Sequence, residues 1–391
     1  MNIAIVSPLR VNTFTEGYCF FEDFPELFKN YEDVREIHVF FFTRSKGRTY
    51  FSNDFYLHTV SMPLKIDQHP ILLPLSIFLC QLNLLVSLLK IIKAYNVNII
   101  EANDVLLTGP PSLLAAKLSR RISTLYVAGP MEETIKHKLG FLKMKSFTGI
   151  ALKFFIILKK MLFSNVDHVF CVTRYLIEDA KKYGAKSVSW TPTDVNAKIF
   201  KPMNISKEGN KPRILYIGRL DPDKGVSYLI DAFNIVRSQV DAELHLIGAG
   251  LEREKLEKKV VSLGLSDSVY FRGIIHHRKI PVEINKCDVI VLPSFSEGIP
   301  RIAVEAALCL KPIILTPICS ASGFFEHGVH AMIVPPGNAY ELARAIIRVL
   351  TDKTLRERLV INAQDMVRRK LLSYGEEHIR IYRTLYILKG K

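Results

Sequence analysis

Two glutamates eight residues apart, Glu297 and Glu305, stand in the stretch Val291-Leu-Pro-Ser-Phe-Ser-Glu-Gly-Ile-Pro-Arg-Ile-Ala-Val-Glu-Ala-Ala-Leu-Cys-Leu-Lys-Pro-Ile-Ile-Leu315. The apolar run before them reads as a buried strand, Gly298 and Pro300 as a tight turn, and Ala303, Val304, Ala306, Ala307 and Leu308 as the faces of a helix. A helix start presents free backbone N–H groups and the positive end of its dipole, so an anionic ligand is favoured beside it. A carboxylate there serves another purpose, accepting hydrogen bonds from hydroxyls such as those of a sugar or ribose ring. The ligand implied carries both phosphate and sugar.

A second cluster lies upstream. Arg213-Ile-Leu-Tyr-Ile-Gly218 reads as a buried strand, and Arg219-Leu-Asp-Pro-Asp-Lys224-Gly225 as the loop into a helix from Val226. Strand, basic loop and helix N-terminus together make a phosphate cradle, in which Arg219 offers a planar fork and Lys224 a point charge. An arginine and a lysine on a loop are otherwise usually solvated. Glu243-Leu-His-Leu-Ile-Gly-Ala-Gly250 is the next strand and glycine turn, a weak sign of nucleotide binding by itself. Val269 to Gly273 and Ile274 follow. His276, His277, Arg278 and Lys279 read as a solvated turn, since no matching ligand cluster for a metal accompanies them.

Glu-x7-Glu in this setting (Pro-Ser before it, Gly-x-Pro after it, Glu-Ala-Ala at the second glutamate) and Gly218-Arg-Leu-x-x-x-Lys-Gly225 resemble the motifs of family 4 retaining glycosyltransferases. The resemblance implies the α/β GT-B fold, two Rossmann-like doubly wound domains facing across a cleft. It also implies transfer of a sugar from a UDP- or GDP-sugar to a lipid-linked acceptor or a growing cell-surface glycan, with retention by front-face attack. On that resemblance Glu297, Arg219 and Lys224 are the catalytic residues. The donor site is Gly17, Gly218, Arg219, Lys224, Gly248, Arg272, Gly273, Ile274, Glu297, Gly298, Ile299, Pro300 and Glu305, with Glu297 on the donor-sugar hydroxyls and Glu305 on the ribose. No Asp-x-Asp motif stands beside a strand end, and neither metal nor cofactor is expected.

Four departures from the family pattern are visible. Leu310 replaces the usual glycine before Lys-Pro, only Gly17 stands where a Gly-Gly pair is usual, and Thr193, Asp194 and Asn196 shuffle the interdomain passage. Gly129-Pro130 stands where a histidine is common, which implies a changed acceptor or lost catalysis. Two other readings stay open: a catalytically inactive sugar-nucleotide-binding scaffold or regulator, and another GT-B chemistry such as sugar-nucleotide epimerisation or phosphorolysis.

The elements that must position these residues begin with Ile3 to Val6, a short apolar strand of the kind buried in a parallel sheet rather than a signal peptide. Val34–Thr43, Asn98–Ala102, a strand around Leu125, Asp167–Thr173 and Ser187–Trp190 read as further strands. At 391 residues the chain has room for two domains. The polar stretch after Lys201 sets the boundary: 1–203, joined by a returning helix at about 372–391, holds the acceptor, and 204–371 the donor. Between Ile71 and Leu89 no charge interrupts, long enough for a membrane span, but Ser76, Gln81, Asn83 and Ser87 make a polar stripe that favours a half-buried helix.

The net charge is +15, which suits phosphorylated substrates, anionic lipid or nucleic acid. From Thr134 to Val166 there is no acidic residue, and lysines alternate with aromatic and aliphatic side chains as on a helix lying on an anionic membrane. Lys143, Lys145, Lys153, Lys159 and Lys160 are expected to face that membrane; the competing reading is a core-packed helix with solvated lysines. No nucleic-acid motif is present, so nucleic acid is not an expected partner. The six cysteines are scattered and read as reduced thiols, which with the preceding points implies a cytoplasmic protein on the inner face of the membrane.

Overall fold

The computed structural model describes residues 1–10, 34–43, 49–52, 55–61, 73–129, 132, 145–191, 195–205, 209–295, 297, 300–317 and 324–389. They divide into two compact units, one of Met1–Ala128, Gly149–Thr191 and Gly375–Lys391, the other of Gly129–Thr148 and Pro192–Tyr374.

In the first unit the strands are β1 (Asn2–Arg10), β2 (Glu36–Thr43), β3 (Thr49–Ser52), β4 (Phe55–Ser61), β5 (Ile99–Ala102), β6 (Ile122–Val127), β7 (His168–Cys171) and β8 (Val188–Trp190). They form one sheet in the order β3-β4-β2-β1-β5-β6-β7-β8, parallel except where β3 runs against β4. The helices are α1 (Leu73–Tyr95), α2 (Gly109–Ser119), α3 (Lys145–Asn165) and α4 (Arg174–Lys182). Ala4, Val6, Phe40 and Phe42 pack on Cys80, Leu84, Leu88 and Ile92 of α1, while Ile3, Ile5, Val39 and Phe41 point to the opposite face. This period of two with apolar residues on both faces is what a sheet covered on both sides requires. β3 and β4 escaped the sequence reading, although Phe55-Tyr-Leu-His-Thr-Val-Ser61 carries the β-branched and aromatic content of a strand.

Helix α1 is long and apolar enough to cross a membrane by length and composition. Its polar stripe is nevertheless used inside the unit: Gln81 donates to the Leu106 carbonyl at 2.8 Å, Asn83 to that of Ser61 at 3.2 Å, and Ser76 is buried.

The second unit holds β9 (Arg213–Ile217), β10 (Glu243–Ile247), β11 (Val269–Gly273), β12 (Val289–Leu292), β13 (Ile313–Leu315) and β14 (Met332–Ile333), in a wholly parallel sheet ordered β11-β10-β9-β12-β13-β14. Its helices are α5 (Val226–Arg237), α6 (Arg253–Ser262), α7 (Ile280–Lys286), α8 (Arg301–Leu308), α9 (Ala339–Thr351) and the part of α10 (Lys353–Lys389) up to Tyr374. From β9 the chain winds outward to β10 and β11, then returns to β12 on the other side of β9 and winds out again. The reversal leaves the carboxyl ends of β9 and β12 side by side, the place where ligands bind in open α/β sheets.

Two details differ from the sequence reading. The units part after Thr191 rather than at 203, because Val195 and Phe200 are buried and Asn285 ties the passage down, donating to the Lys201 carbonyl at 3.0 Å and accepting from the Met203 amide at 2.8 Å. The terminal helix begins at Lys353, and its residues from Gly375 belong to the first unit, where Tyr382 donates to Glu101 at 2.6 Å and His378 lies 3.0 Å from the same oxygen.

Candidate active site

The site is built at the reversal between β9 and β12. After β9 the chain passes Gly218 and Arg219, makes a short 3-10 turn over Pro222–Lys224, and enters α5. Gly225 closes that turn with φ +67°, and a Cβ there would lie 2.2 Å from the Pro293 carbonyl oxygen, so only glycine lets the basic loop settle against the end of β12. Gly248 answers to the same logic at the end of β10: a Cβ would meet the Gly218 carbonyl at 1.9 Å. The structure therefore gives the Gly-x-Gly turn a packing role. It zips the ends of three strands together, with Gly218 N–H donating to Ile247 at 3.0 Å and Gly248 N–H to Gly273 at 2.8 Å.

Arg219 and Lys224 meet a set of carboxylates. Arg219 pairs with Asp221 and, at 3.2 Å, with Asp223, leaving its side chain 41% exposed. Lys224 is nearly buried; its ammonium lies 2.5 Å from Glu297 Oε1 and 3.4 Å from Asp223. Ser294 adds a hydrogen bond to the same glutamate oxygen at 3.3 Å. Beneath them the Tyr216 hydroxyl donates to the Arg219 carbonyl at 2.6 Å, and burial, with Glu297 nearby, pushes that phenol well above its ordinary range. The cluster holds two cations and three carboxylates in one partly dry place. A diphosphate entering it would draw both cations toward itself and free Glu297 for hydroxyls.

Glu305 sits apart from this cluster on α8, fully buried. Its Oε1 accepts from Arg301 Nε at 2.8 Å and lies 3.5 Å from His277 Nε2, while Oε2 has no hydrogen-bond partner among the described residues. The His277 ring packs 5.5 Å from that of Phe200 and is only 15% exposed, so within the turn expected to be solvated Arg278 and Lys279 are exposed while His277 turns inward to Glu305. Sequence reading missed both neighbours. Arg301 left one signal, its spacing of four from Glu305 on a helix; His277 left none.

Of the other expected donor residues, Gly273 ends β11, Arg272 and Ile274 beside it are exposed, and Pro300 precedes α8. Gly17, Gly298 and Ile299 lie outside the described residues, as does Lys143. Leu310, in place of glycine, adopts φ +55° at the end of α8, the left-handed position where helices commonly stop on glycine. Among the described residues there is no group of metal-ligating side chains.

Residues 198–366 match the family model of glycosyl transferases group 1. Alpha-D-kanosaminyltransferase of Streptomyces kanamyceticus is 32% identical over 179 residues, 45% of this chain and 46% of that protein. The chain spans about half the length of the curated relatives it matches. Over nearly the whole chain the fold is GT-B: sucrose-phosphate synthase from Thermosynechococcus elongatus superposes with a TM-score of 0.76 at 22% identity, covering 99% of both chains. Anabaena HepE, solved with UDP and glucose, superposes with a TM-score of 0.72 at 18% identity, covering 98% of this chain and 100% of that one.

The lysines of this GT-B chain split. Lys153 and Lys160 of α3 are exposed, and Lys145 opens the helix. Lys159 is a correction: it is 2% exposed, paired with Asp179 of α4, with its ammonium 4.6 Å from the centre of the Tyr183 ring. One position from Lys160, it is turned by about 100° onto the inner side of the helix.

Proposed function

We propose that this protein is a retaining glycosyltransferase that moves a sugar from a UDP- or GDP-sugar to a lipid-linked or growing glycan acceptor without a metal. The observation that carries the reading is the convergence of Arg219, Lys224 and Glu297 at the reversal between β9 and β12, inside the matched domain. Arg219 and Lys224 take the diphosphate, Glu297 the donor-sugar hydroxyls and Glu305 the ribose; the first unit supplies the acceptor's binding surface. As the bond from the anomeric carbon to the phosphate oxygen breaks, charge grows on the leaving diphosphate and both cations stabilise it more than the ground state. The acceptor oxygen bonds to the same face of the sugar, and its proton passes to the departing phosphate oxygen.

A thermal-shift panel of UDP-, GDP- and ADP-sugars with their free nucleotides, with EDTA present, tests the donor half. A ligand at about 100 times its dissociation constant adds roughly 2.7 kcal/mol of stability, so one nucleotide class should raise the melting temperature of the wild type and not of Lys224→Met. No shift with any class at millimolar ligand would remove the donor reading and favour a protein that has lost this function.

A second observation supports the location. Helices α1, α2 and α3 contain no aspartate or glutamate; α2 packs on α1 and also touches α3, where Lys117 donates to Asn165 at 2.6 Å and Leu162 abuts Gly109. They expose Phe78, Leu82, Leu118, Phe154, Ile157 and Met161 together with Lys117, Lys153 and Lys160. Apolar side chains set among unopposed lysines suit an anionic bilayer surface, and hence a cytoplasmic enzyme peripheral to the inner face of the membrane. Co-sedimentation with vesicles of phosphatidylcholine alone or with 30% phosphatidylglycerol tests this. Binding to the anionic vesicles only, weakened by Lys153→Glu and Lys160→Glu by roughly 1 kcal/mol per lysine, supports it; indifference to lipid charge removes it.

A further inference from the structure

A buried carboxylate with one oxygen engaged and the other unmet is an unusual thing to keep, because a polar atom removed from water without a partner costs stability. Glu305 is such a group: Oε1 is held by Arg301 at 2.8 Å with His277 at 3.5 Å, and Oε2 is buried with no hydrogen-bond partner among the described residues. We propose that Arg301 is a positioning and specificity residue of the donor site, which locks Glu305 so that Oε2 is presented to a ribose hydroxyl and the site selects ribonucleotides over their deoxy forms. This rests on the donor reading above.

The geometry favours it on three counts. Arg301 opens α8 and Glu305 lies one turn on, so the guanidinium and carboxylate share one face of the helix, and the N–H reaches Oε1 without leaving the helix surface. With that oxygen engaged, the carboxylate cannot turn about its terminal bond without breaking the contact. His277 approaches the same oxygen from the 3-10 turn after β11, so the pair also ties the β11 loop to α8. A hydroxyl donating to Oε2 would complete the hydrogen bonding of the carboxylate, and a deoxy sugar would leave it incomplete. A merely structural pair between Arg301 and Glu305 would support the helix and be blind to the sugar.

Calorimetric titration with UDP, GDP and their 2′-deoxy and 3′-deoxy forms separates the two. For whichever base binds the wild type, one deoxy form should bind about tenfold more weakly, the worth of a hydrogen bond to a charged group. Arg301→Gln should bring the ratio to within about twofold, Arg301→Lys should keep an intermediate ratio, and Glu305→Gln should abolish it, with the double variant no worse than Glu305→Gln alone. The ratio is taken on one protein sample and the titration stoichiometry reports the folded fraction, so a damaged variant is recognised. A wild-type ratio in Arg301→Gln, or equal loss of the ribo and deoxy forms at full stoichiometry, overturns the inference while leaving the donor reading intact. If no nucleoside diphosphate binds the wild type, both fall together.

Discussion

Lys224 and Glu297, 73 residues apart in the chain, meet at 2.5 Å where the loops after β9 and β12 come together. Each belongs to a separate motif, and the ion pair is the point at which the two motifs become one site.

That pair should behave as a unit in catalysis. Lys224→Met is expected to lower kcat/KM by about 100- to 1,000-fold, as loss of one transition-state donor does. Glu297→Gln should cost a similar factor, and the double variant should fall little below either single one. Steady-state kinetics on the donor identified by thermal shift checks this; fully additive losses would mean that the residues act separately.

Backbone packing sets a second expectation. Gly248→Ala places a Cβ 1.9 Å from the Gly218 carbonyl oxygen, and something must shift; the loss should exceed about 3 kcal/mol. Gly264 also has positive φ but nothing within 4 Å of its Cβ, so Gly264→Ala should lose only about 1 kcal/mol. Urea denaturation of the two variants side by side decides whether crowding or backbone angle dominates.

Neighbouring lysines should separate in the same way. Lys159→Ala strands Asp179 and empties a buried place beneath α3, so a loss of about 3 kcal/mol or more is expected. Lys160→Ala should change stability by less than about 0.5 kcal/mol and register instead in vesicle binding. Equal stability losses would argue against the buried pair.

Histidines in the first unit make stability depend on pH. Burial, with the charge of His58, lowers His38 to about 3, and burial lowers His58 to about 4 and His168 to about 4, from 6.5. The folded state therefore holds them neutral while the unfolded chain takes up protons below pH 6.5. Their contribution is full above that value and is lost as pH falls toward 4, at about 2 kcal/mol each by pH 5. His38 and His58 lie 3.0 Å apart and stack on one another, so they are best replaced together. Denaturant titrations from pH 7 to pH 5 should show a steep decline in the wild type and a shallower one in a His38→Phe/His58→Leu variant; parallel declines would place the effect elsewhere.

Much of the architecture was legible because parallel strands buried on both faces are written as short apolar runs, as in Ile3–Val6 and Arg213–Gly218. Where the pattern was diluted by tyrosine and histidine, in β3 and β4, the strands were missed. The long helix begins at Lys353, well before the returning helix expected at about 372–391. Arg219 and Lys224 stand in one local motif after β9 and Glu297 in another after β12, so each is visible in the sequence, but their meeting is not. The passage up to Met203 reads locally as the edge of the first unit, because the side chain that ties it down, Asn285, lies more than 80 residues away.

The residue types at the strand ends, and with them the α/β fold class, are legible in the sequence because short apolar runs and glycine turns are local patterns. That Lys159 turns inward while Lys160 turns out, that the glycines of Gly-x-Gly serve backbone packing, and that His277 and Arg301 meet on Glu305 emerges in the folded chain alone. Those outcomes depend on which strands lie beside which. Parallel pairing across crossovers brings together groups that no local spacing connects.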